Sequence, residues 1–371
     1  MVSRARTARR VVFLVWRDTA HPDGGGSEVY VEHMARWLAA RGHEVVIQCS
    51  AHANAPADEL RDGVRFRRRG GRLTVYPHAL AYLLSAAGRR ADAVVDVHNG
   101  LPFASTLVRR RGVRVLVHHV HREQWQIIYP GLQGRLGWWL ESRFAPRLYR
   151  RQPYVTVSES SRADLVGLGV DAGRIDVVCN GIDVPHPSRL LPRSATPRIC
   201  VLGRLVPHKQ VEHALDTLAA LAPHLPELRM DVIGDGWWHS ELAAHADRLG
   251  VAGRVTFHGQ VTDAERDRLL DEAWLMLVPS VKEGWGIAIM EAAARSVPAI
   301  GYRSAGGVTE SIQDGETGLL VTDQAELTER ARWLLTDTEA RLAMGKKARE
   351  RAGHFDWQSS AARFERLILP D

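Results

Sequence analysis

The sequence contains few cysteines and no long apolar run. Its 371 residues include only Cys49, Cys179 and Cys200. They are odd in number, widely spaced and set in apolar strand-like segments, which argues against a disulfide framework or a zinc site and predicts reduced core residues. The apolar run Val11 to Trp16 is too short for a membrane span or a signal peptide. It is predicted to be a buried first strand after a basic tail, in a cytoplasmic protein.

Two signatures of cofactor chemistry are also missing. No Asp-Xaa-Asp pair, the usual device for chelating a metal with a nucleotide diphosphate, occurs in the chain. The histidines of VLVHHVHREQW have no carboxylate or cysteine at ligand spacing, and neighbours on a strand point to opposite faces. The three glycines at 24–26 do not form a GxGxxG fingerprint, and no acidic residue ends the second strand. The sequence therefore predicts neither a metal site nor a nicotinamide cofactor.

Length and composition favour two globular domains. Hydrophobic residues make up 45% of the chain and charged residues 25%, which excludes a disordered or fibrous protein. A chain of this length exceeds one ordinary hydrophobic core. The net charge of +6 is compatible with nucleic acid, an anionic membrane or a phosphorylated ligand, so charge alone does not choose among them.

Short apolar strand patterns alternate with helical patterns along the whole chain. The first half contains VVFLVW, EVVIQCS, DAVVDVHN, RVLVHH, YVTVSES and IDVVCNG. After a proline-rich linker between Ile182 and Pro197, the second half contains RICVLGRL, RMDVIGDG, RVTFHG, WLMLVPS, VPAIGY and TGLLV. This order predicts an α/β protein with two doubly wound Rossmann-like domains, residues 1–185 and 197–354. Ligands are expected in a central cleft, at the carboxyl ends of the strands.

Two segments of the second half are suited to a phosphorylated ligand. In VPSVKEGWGIAIMEAA, Glu283 lies in a loop and Glu291 lies in a helix that begins near Gly286. Free N–H groups at the helix start suit a phosphate, and Glu291 can accept hydrogen bonds from ribose hydroxyls. Alternatively, Glu291 only interacts favourably with the helix dipole, and Glu283 in the loop is solvated. In VLGRLVPHKQ, Arg204 and Lys209 flank a turn and can neutralise a diphosphate, unless they are solvated surface charges.

The first half offers three less specific features. The glycines before the first helix permit close approach of a ligand, or only provide a loop with positive φ angles. His118, His119 and His121 follow a strand and can include a group that contacts the transferred sugar or the acceptor. The aromatic and arginine residues of IIYPGLQGRLGWWLESRFAPRLYRRQ either lie on a membrane or form the buried and solvated faces of a helix.

Together these motifs resemble the retaining GT-B glycosyltransferases of family GT4. GRLVPHK, VIGDG, FHGQVTD, EGWGIAIME and SAGGVTESIQDGETGLLV follow one another in the family's order and spacing. The resemblance covers nearly the whole chain and implies the GT-B fold. In that fold the first domain binds the acceptor and the second binds the donor. A closing helix, residues 355–371, packs back on the first domain. The resemblance further implies transfer from a nucleotide diphosphate sugar, a UDP-sugar before a GDP-sugar, to an unidentified hydroxyl acceptor, without a metal or other cofactor.

The resemblance also implies roles for individual residues. His118 and Glu283 face the transferred sugar as the catalytic candidates, with His119 as the alternative to His118. The leaving phosphate itself removes the acceptor proton in a front-face reaction. The remaining positions contact the donor: Arg204 and Lys209 at the diphosphate, Glu291 at the ribose, Val261 at the base, and Gly25, Gly26, Gly286 and Ile287 along the backbone.

Other functions remain open at the level of sequence. The expected partners are the nucleotide-sugar donor and a small-molecule, oligosaccharide or lipid-linked acceptor, with peripheral contact at the inner face of a membrane as an option. Nucleic-acid binding is suggested only by the basic charge and by Arg65 to Arg69, which an anionic donor explains more simply. The alternatives to a transferase are a non-hydrolysing nucleotide-sugar epimerase, which needs no acceptor, and a non-catalytic protein that binds nucleotide sugars.

Overall fold

The structure is a computed structural model that describes residues 8–370 and divides into two compact units. Unit 1 comprises the chain up to Asn180 together with the segment from Trp357 onward, and unit 2 comprises Gly181–Asp356. The predicted basic tail falls mainly in residues 1–7, outside the described residues. Each unit contains its own sheet of mainly parallel strands flanked by helices, which confirms the predicted α/β class with two doubly wound domains.

Unit 1 is built around an eight-stranded sheet. Its strands are β1 (Arg10–Leu14), β2 (Glu44–Cys49), β3 (Asp58–Arg61), β4 (Val64–Arg68), β5 (Ala93–Val97), β6 (Val113–Val117), β7 (Tyr154–Thr156) and β8 (Ile175–Val177). Their order is β3-β4-β2-β1-β5-β6-β7-β8, and every pair is parallel except β3 with β4. Phe13 of central β1 lies between Ile47 and Val95 and is fully buried, as expected of a strand covered on both faces.

The helices of unit 1 cover both faces of this sheet. They are α1 (Gly26–Ala40), α2 (Val75–Leu84), α3 (Ala86–Arg89), α4 (Arg122–Ile128), α5 (Leu132–Trp139), α6 (Ala145–Leu148) and α7 (Glu159–Gly167). A π-helical turn, Leu140–Phe144, joins α5 to α6. The hairpin β3–β4 was not predicted from sequence, because the arginines of β4 interrupt the apolar pattern that marks the other strands.

Unit 2 is built around a six-stranded parallel sheet. Its strands are β9 (Arg198–Leu202), β10 (Arg229–Ile233), β11 (Val255–Gly259), β12 (Leu275–Val278), β13 (Ala299–Tyr302) and β14 (Gly318–Val321), in the order β11-β10-β9-β12-β13-β14. Its helices are α8 (Val211–Leu221), α9 (His239–Arg248), α10 (Asp263–Glu272), α11 (Ile287–Ala293), α12 (Val308–Ser311), α13 (Gln324–Thr336) and α14 (Thr338–Ala352). The strand order reverses beside β9, and such a reversal is where doubly wound sheets bind ligands.

The last helix, α15 (Trp357–Ile368), belongs to unit 1. Its Phe364 is fully buried, 6.1 Å from the ring centroid of Phe13, and also contacts Tyr30 of α1 edge-on. Arg114 Nε of β6 donates a hydrogen bond to the carbonyl of Leu367 at 3.0 Å. Aromatic packing and this hydrogen bond therefore hold the final helix on the first sheet.

Three expectations drawn from composition have different outcomes. Cys49 and Cys200 are buried free thiols, but Cys179 is only partly buried, so it is not the core residue that was predicted. The aromatic residues near α5 are divided: Tyr149 is fully buried, whereas Trp139 is 52% exposed. Within residues 8–370, no helix is long and apolar enough to cross a membrane.

Candidate active site

In unit 2, the loops that follow β9 and β12 are joined by side-chain contacts at the reversal of strand order. Lys209 ends a short 3-10 turn after β9, and Glu283 lies in the loop after β12. Lys209 Nζ donates to Glu283 Oε1 at 2.6 Å, and Ser280 Oγ donates to the same oxygen at 2.7 Å. The backbone N–H of Val281 donates to the carbonyl of His208 at 2.9 Å. Two residues that the sequence suggested for different parts of the donor are thus in direct contact.

The loop after β9 also carries Arg204, which is partly buried. The next residue, Leu205, donates its N–H to the carbonyl of Asp235 at 2.9 Å, which ties this loop to the one after β10. A Cβ at Gly234 would lie 2.2 Å from the carbonyl oxygen of Gly203, so glycine is needed there for the two loops to meet. Arg204 therefore stands on a closely packed pair of loops. Val261, predicted near the base, follows β11 and packs partly buried against the core of unit 2.

Glu291 lies on α11, which starts after Gly286 in the left-handed conformation, with a φ of +84°. Its Oε1 is 3.4 Å from an Nη atom of Arg266 on α10, and its side chain is 24% exposed. Burial raises the pKa of Glu291, and the Arg266 guanidinium opposes that rise while Asp267 and Asp263 add to it. Arg266 in turn donates to Asp263 at 3.0 Å and to Asp267 at 2.9 Å. A partly buried carboxylate is therefore held beside a guanidinium that favours its ionised form.

In unit 1, the glycines lie between β1 and α1 and are anchored by Glu28. Gly25 is the residue before α1; its N–H donates to Glu28 Oε2 at 2.8 Å, while Glu28 N–H donates to the Gly25 carbonyl at 3.1 Å. Glu28 is buried and lies 3.3 Å from Arg17 Nε. A Cβ at Gly24 would meet three carbonyl oxygens at 3.0–3.1 Å, whereas one at Gly25 would meet only Glu28 at 3.7 Å. Gly24 is thus tightly packed, while a side chain at Gly25 would meet only an ordinary van der Waals contact.

His118 and His119, which follow β6, differ sharply in environment. His118 is 6% exposed, its ring meets Tyr30 edge-on at 5.3 Å, and its Nε2 has no hydrogen-bond partner among residues 8–370. Burial lowers the pKa of His118 to about 4, so its imidazole is neutral at physiological pH. His119 Nε2 instead contacts Gln124 Oε1 at 3.0 Å.

Sequence reasoning missed Glu28 and Arg266. The spacing Gly25-Xaa-Xaa-Glu28 resembles a helix capping box and could have indicated the role of Glu28. Nothing in the local sequence connects Arg266 with Glu291, because they lie on separate helices that only the fold brings together.

Comparison with known proteins follows the same division of the chain. Residues 24–186 match Glycosyltransferase Family 4, and residues 186–351 match Glycosyl transferases group 1. A D-inositol 3-phosphate glycosyltransferase of Xylanimonas cellulosilytica is 31% identical, over 92% of this chain and 90% of the relative. The chain belongs to glycosyltransferase family 4. A glycogen synthase of Mycobacterium tuberculosis is 25% identical, over 93% of this chain and 91% of that protein.

Solved structures confirm the GT-B fold of this family 4 enzyme. Sucrose-phosphate synthase from Thermosynechococcus elongatus superposes with a TM-score of 0.83 at 19% identity, covering 97% of this chain and 98% of the other. The Anabaena protein HepE in complex with UDP-glucose superposes with a TM-score of 0.76 at 18% identity, covering 97% and 99%. The protein is therefore a glycosyltransferase that moves a sugar from a nucleotide-sugar donor, in a family that is generally metal-independent.

Proposed function

We propose that this family 4 enzyme is a retaining, metal-independent transferase that uses a UDP-sugar, with a GDP-sugar as the second candidate, and a hydroxyl acceptor. The contact between Lys209 and Glu283 carries the proposal, because it puts a cation beside a carboxylate where a doubly wound sheet binds its ligand. HepE shares the fold and was solved with UDP-glucose, which makes UDP the first nucleotide to test.

Lys209 and Arg204 are proposed to bind the donor diphosphate and to stabilise the charge that grows on it as it leaves. In the structure, the Lys209 ammonium is held by Glu283, and both side chains are partly exposed, at 24% and 15%. Such a pair is worth only about 0–1 kcal/mol, so a diphosphate can displace the carboxylate at little cost. Glu283 would then be released to accept hydrogen bonds from hydroxyls of the transferred sugar.

The nucleoside is proposed to lie along α11 and the loop after β11. Glu291 would accept hydrogen bonds from the ribose hydroxyls, and the Arg266 guanidinium would keep the carboxylate ionised. The backbone near Val261 would contact the base. Gly286 and Ile287 would approach the donor through their backbone, where the lack of a side chain at 286 matters most.

His118 is proposed to contact the transferred sugar. A neutral imidazole has one donor and one acceptor nitrogen, and the unsatisfied, buried Nε2 needs a polar partner that a sugar hydroxyl can supply. His119 fits this role less well, because its Nε2 already contacts Gln124. Gly25 and Gly26 would border the same donor, where a side chain at Gly25 would meet only Glu28.

The transfer step needs no protein nucleophile in this proposal. The bond from the anomeric carbon to the phosphate oxygen breaks, and its electron pair leaves with the diphosphate. The acceptor oxygen bonds to the same face of the anomeric carbon, and its proton passes to the departing phosphate. Catalysis then depends mainly on cations that favour the leaving group, which is the role proposed for Arg204 and Lys209.

The first experiment is a calorimetric binding screen of UDP, GDP, ADP and dTDP, each with and without EDTA. Selective binding of one diphosphate that EDTA does not weaken is the expected result, and it would select the donor for an acceptor search. Binding that requires a divalent ion would contradict metal independence. No binding of any nucleotide would favour a non-catalytic protein of the same fold.

The acceptor is proposed to be presented at an anionic membrane. The outer surface of α4, α5 and the π-helical turn exposes five large apolar residues, and arginines on the same segment supply positive charge. The apolar residues are Ile127, Leu132, Leu136, Trp139 and Phe144. In flotation with phosphatidylglycerol vesicles, W139A should reduce binding, whereas W237A, at an exposed tryptophan of unit 2, should not. Equal binding to phosphatidylcholine vesicles, or equal effects of the two variants, would contradict the proposal.

A further inference from the structure

A buried carboxylate in unit 1 has no role in the function proposed above. Glu141 lies in the π-helical turn between α5 and α6 and is 2% exposed. A π-helical turn inserts one residue into a helix and is frequently found at functional sites. Here the inserted turn directs an acidic side chain inward, toward the segment that follows β6.

Glu141 accepts three hydrogen bonds. Its Oε1 accepts from the backbone N–H of His121 at 3.1 Å and contacts His121 Nδ1 at 2.9 Å, and its Oε2 accepts from Trp125 Nε1 at 2.6 Å. Burial alone would raise the pKa of Glu141, but His121, His98 and the hydrogen bonds hold it below its ordinary value. The carboxylate is therefore ionised and can only accept, which makes Nδ1 the protonated nitrogen of His121.

In the neutral form of His121, the other ring nitrogen is consequently left as an acceptor. In a neutral imidazole with a proton on Nδ1, Nε2 carries a lone pair and no proton. The side chain is 19% exposed, and its hydrogen bond to Glu141 runs through Nδ1. His119 stacks beside it at 4.2 Å and is itself held by Gln124. The contact at Nδ1 and the neighbouring His119 ring thus fix the plane of the His121 ring.

Helix α4, which carries the Trp125 ring that binds Glu141, packs closely against α5. A Cβ at Gly137 of α5 would lie 2.4 Å from the Trp125 ring, and one at Gly100 would lie 3.0 Å from the same ring. A Cβ at Gly134 would lie 2.1 Å from the carbonyl oxygen of Tyr129. Glycines therefore let α4 and α5 approach and clamp the indole that holds Glu141. A solvated surface histidine would need none of this support.

We propose that His121 Nε2 binds the acceptor hydroxyl of the transfer reaction and that Glu141 is the positioning residue that keeps Nε2 an acceptor. The inference rests on the proposed function and assigns it an acceptor-binding group. The ligand is a neutral alcohol, the hydroxyl of a sugar or other polyol, or water when no alcohol is present.

The acceptor hydroxyl donates its hydrogen to Nε2, which leaves a lone pair of its oxygen available to bond to the anomeric carbon. As that oxygen bonds to the carbon, its proton moves along the hydrogen bond to Nε2, and the electron pair of the broken carbon–oxygen bond leaves with the diphosphate. Nε2 then passes the proton to an oxygen of the departing diphosphate. His121 begins and ends the step in the same tautomer.

Water is the acceptor probe that tests this inference without knowledge of the natural acceptor. The full-length protein is incubated with an equimolar amount of the sugar donor of the nucleotide selected by calorimetry, and release of nucleoside diphosphate is followed. His121→Asn keeps an amide N–H near the Nδ1 position for Glu141 but removes Nε2, whereas His121→Gln can place an amide oxygen near Nε2. Glu141→Gln turns the partner of Nδ1 into a donor and should reverse the tautomer.

His121→Asn and Glu141→Gln should each slow donor hydrolysis by about 10- to 100-fold, while His121→Gln should be slowed less. The affinity for nucleoside diphosphate should stay within about 2-fold of wild type in all three variants. The same should hold for a control variant, His224→Asn, which changes an exposed histidine of unit 2. Nitrogen-15 spectra of the imidazoles should show a proton on Nδ1 of His121 in wild type and on Nε2 in Glu141→Gln.

Hydrolysis at the wild-type rate in His121→Asn would overturn the inference while the proposed function stands. An unprotonated Nδ1 in the wild type would also overturn it. Should Glu141→Gln fail to fold, His121→Asn decides alone, because its amide still satisfies Glu141. Absence of nucleotide binding by the wild type would refute the proposed function instead, and nucleotide binding with no donor hydrolysis by the wild type would overturn the inference alone.

Discussion

Lys209→Met tests the proposed diphosphate site most directly. Lys209 Nζ lies 2.6 Å from Glu283 Oε1, and the substitution removes the ammonium while keeping the length of the side chain. A hydrogen bond to a charged group contributes about 1.5–3 kcal/mol, so the loss should weaken nucleoside diphosphate binding by about 10- to 100-fold. The uncompensated Glu283 carboxylate would then repel the diphosphate and add to the loss.

Glu283→Gln should act in the opposite direction on the nucleotide alone. It releases Lys209 from a partly exposed ion pair worth about 0–1 kcal/mol, so binding of the bare diphosphate should be unchanged or strengthened by up to about 5-fold. Transfer should nevertheless fall, because the carboxylate proposed for the sugar is gone. The double variant should bind the diphosphate more tightly than Lys209→Met, because the repulsion is removed.

The assay is isothermal calorimetry with the diphosphate selected in the screen, on the wild type, both single variants and the double variant. The diphosphate carries no sugar, so it isolates the proposed Lys209 contact from the proposed Glu283 contact. Equal weakening by both single variants would refute the opposing roles assigned to the two residues. Unchanged affinity in Lys209→Met would refute the diphosphate site itself.

Three further predictions follow from other contacts. Because burial raises the pKa of Glu291, this carboxylate is protonated as the pH is lowered, and nucleotide affinity should then decrease. Arg266→Met should move this loss of affinity to higher pH, as measured by calorimetry at a series of pH values. His118→Ala should impair transfer while leaving nucleotide affinity nearly intact, as measured by rates and calorimetry on one preparation. Arg68→Met should lower the free energy of unfolding by about 3–5 kcal/mol in denaturant titrations, because it leaves the buried Asp18 carboxylate without its guanidinium.

Two of these predictions have a matched control variant in the chain. Arg268→Met, on the same helix as Arg266 but paired with Glu265, should leave the pH dependence unchanged. Arg69→Met, next to Arg68 but paired with the exposed Asp58, should change unfolding by no more than about 1 kcal/mol. If Arg266→Met weakened the binding of 2′,3′-dideoxy nucleotides as much as that of the ordinary nucleotides, the loss of affinity would not depend on the ribose hydroxyls. That result would contradict the role proposed for Glu291. Loss of nucleotide binding in His118→Ala would contradict its place at the sugar.

The main elements of the fold were predictable from sequence because their signals are local. Apolar runs such as Val11 to Leu14 are buried on both faces of a parallel sheet, and no polar residue interrupts them. The hairpin β3–β4 was not predicted because arginines interrupt β4, and one of them, Arg68, is buried by ion pairs with Asp18 and Glu59 rather than by apolar contacts. Periodicity describes burial by apolar packing and does not describe burial by charge pairing.

The sequence by itself determined that two α/β domains follow one another and that charged and glycine residues stand just after their strands. It did so because strands, turns and helix starts depend on neighbours within a few residues. Tertiary structure alone decided which of those residues meet: Lys209 with Glu283, Glu291 with Arg266, and His121 with Glu141. Those contacts depend on strand order, on helix packing and on one inserted π-helical turn, and they set the charge and tautomer on which the proposed chemistry depends.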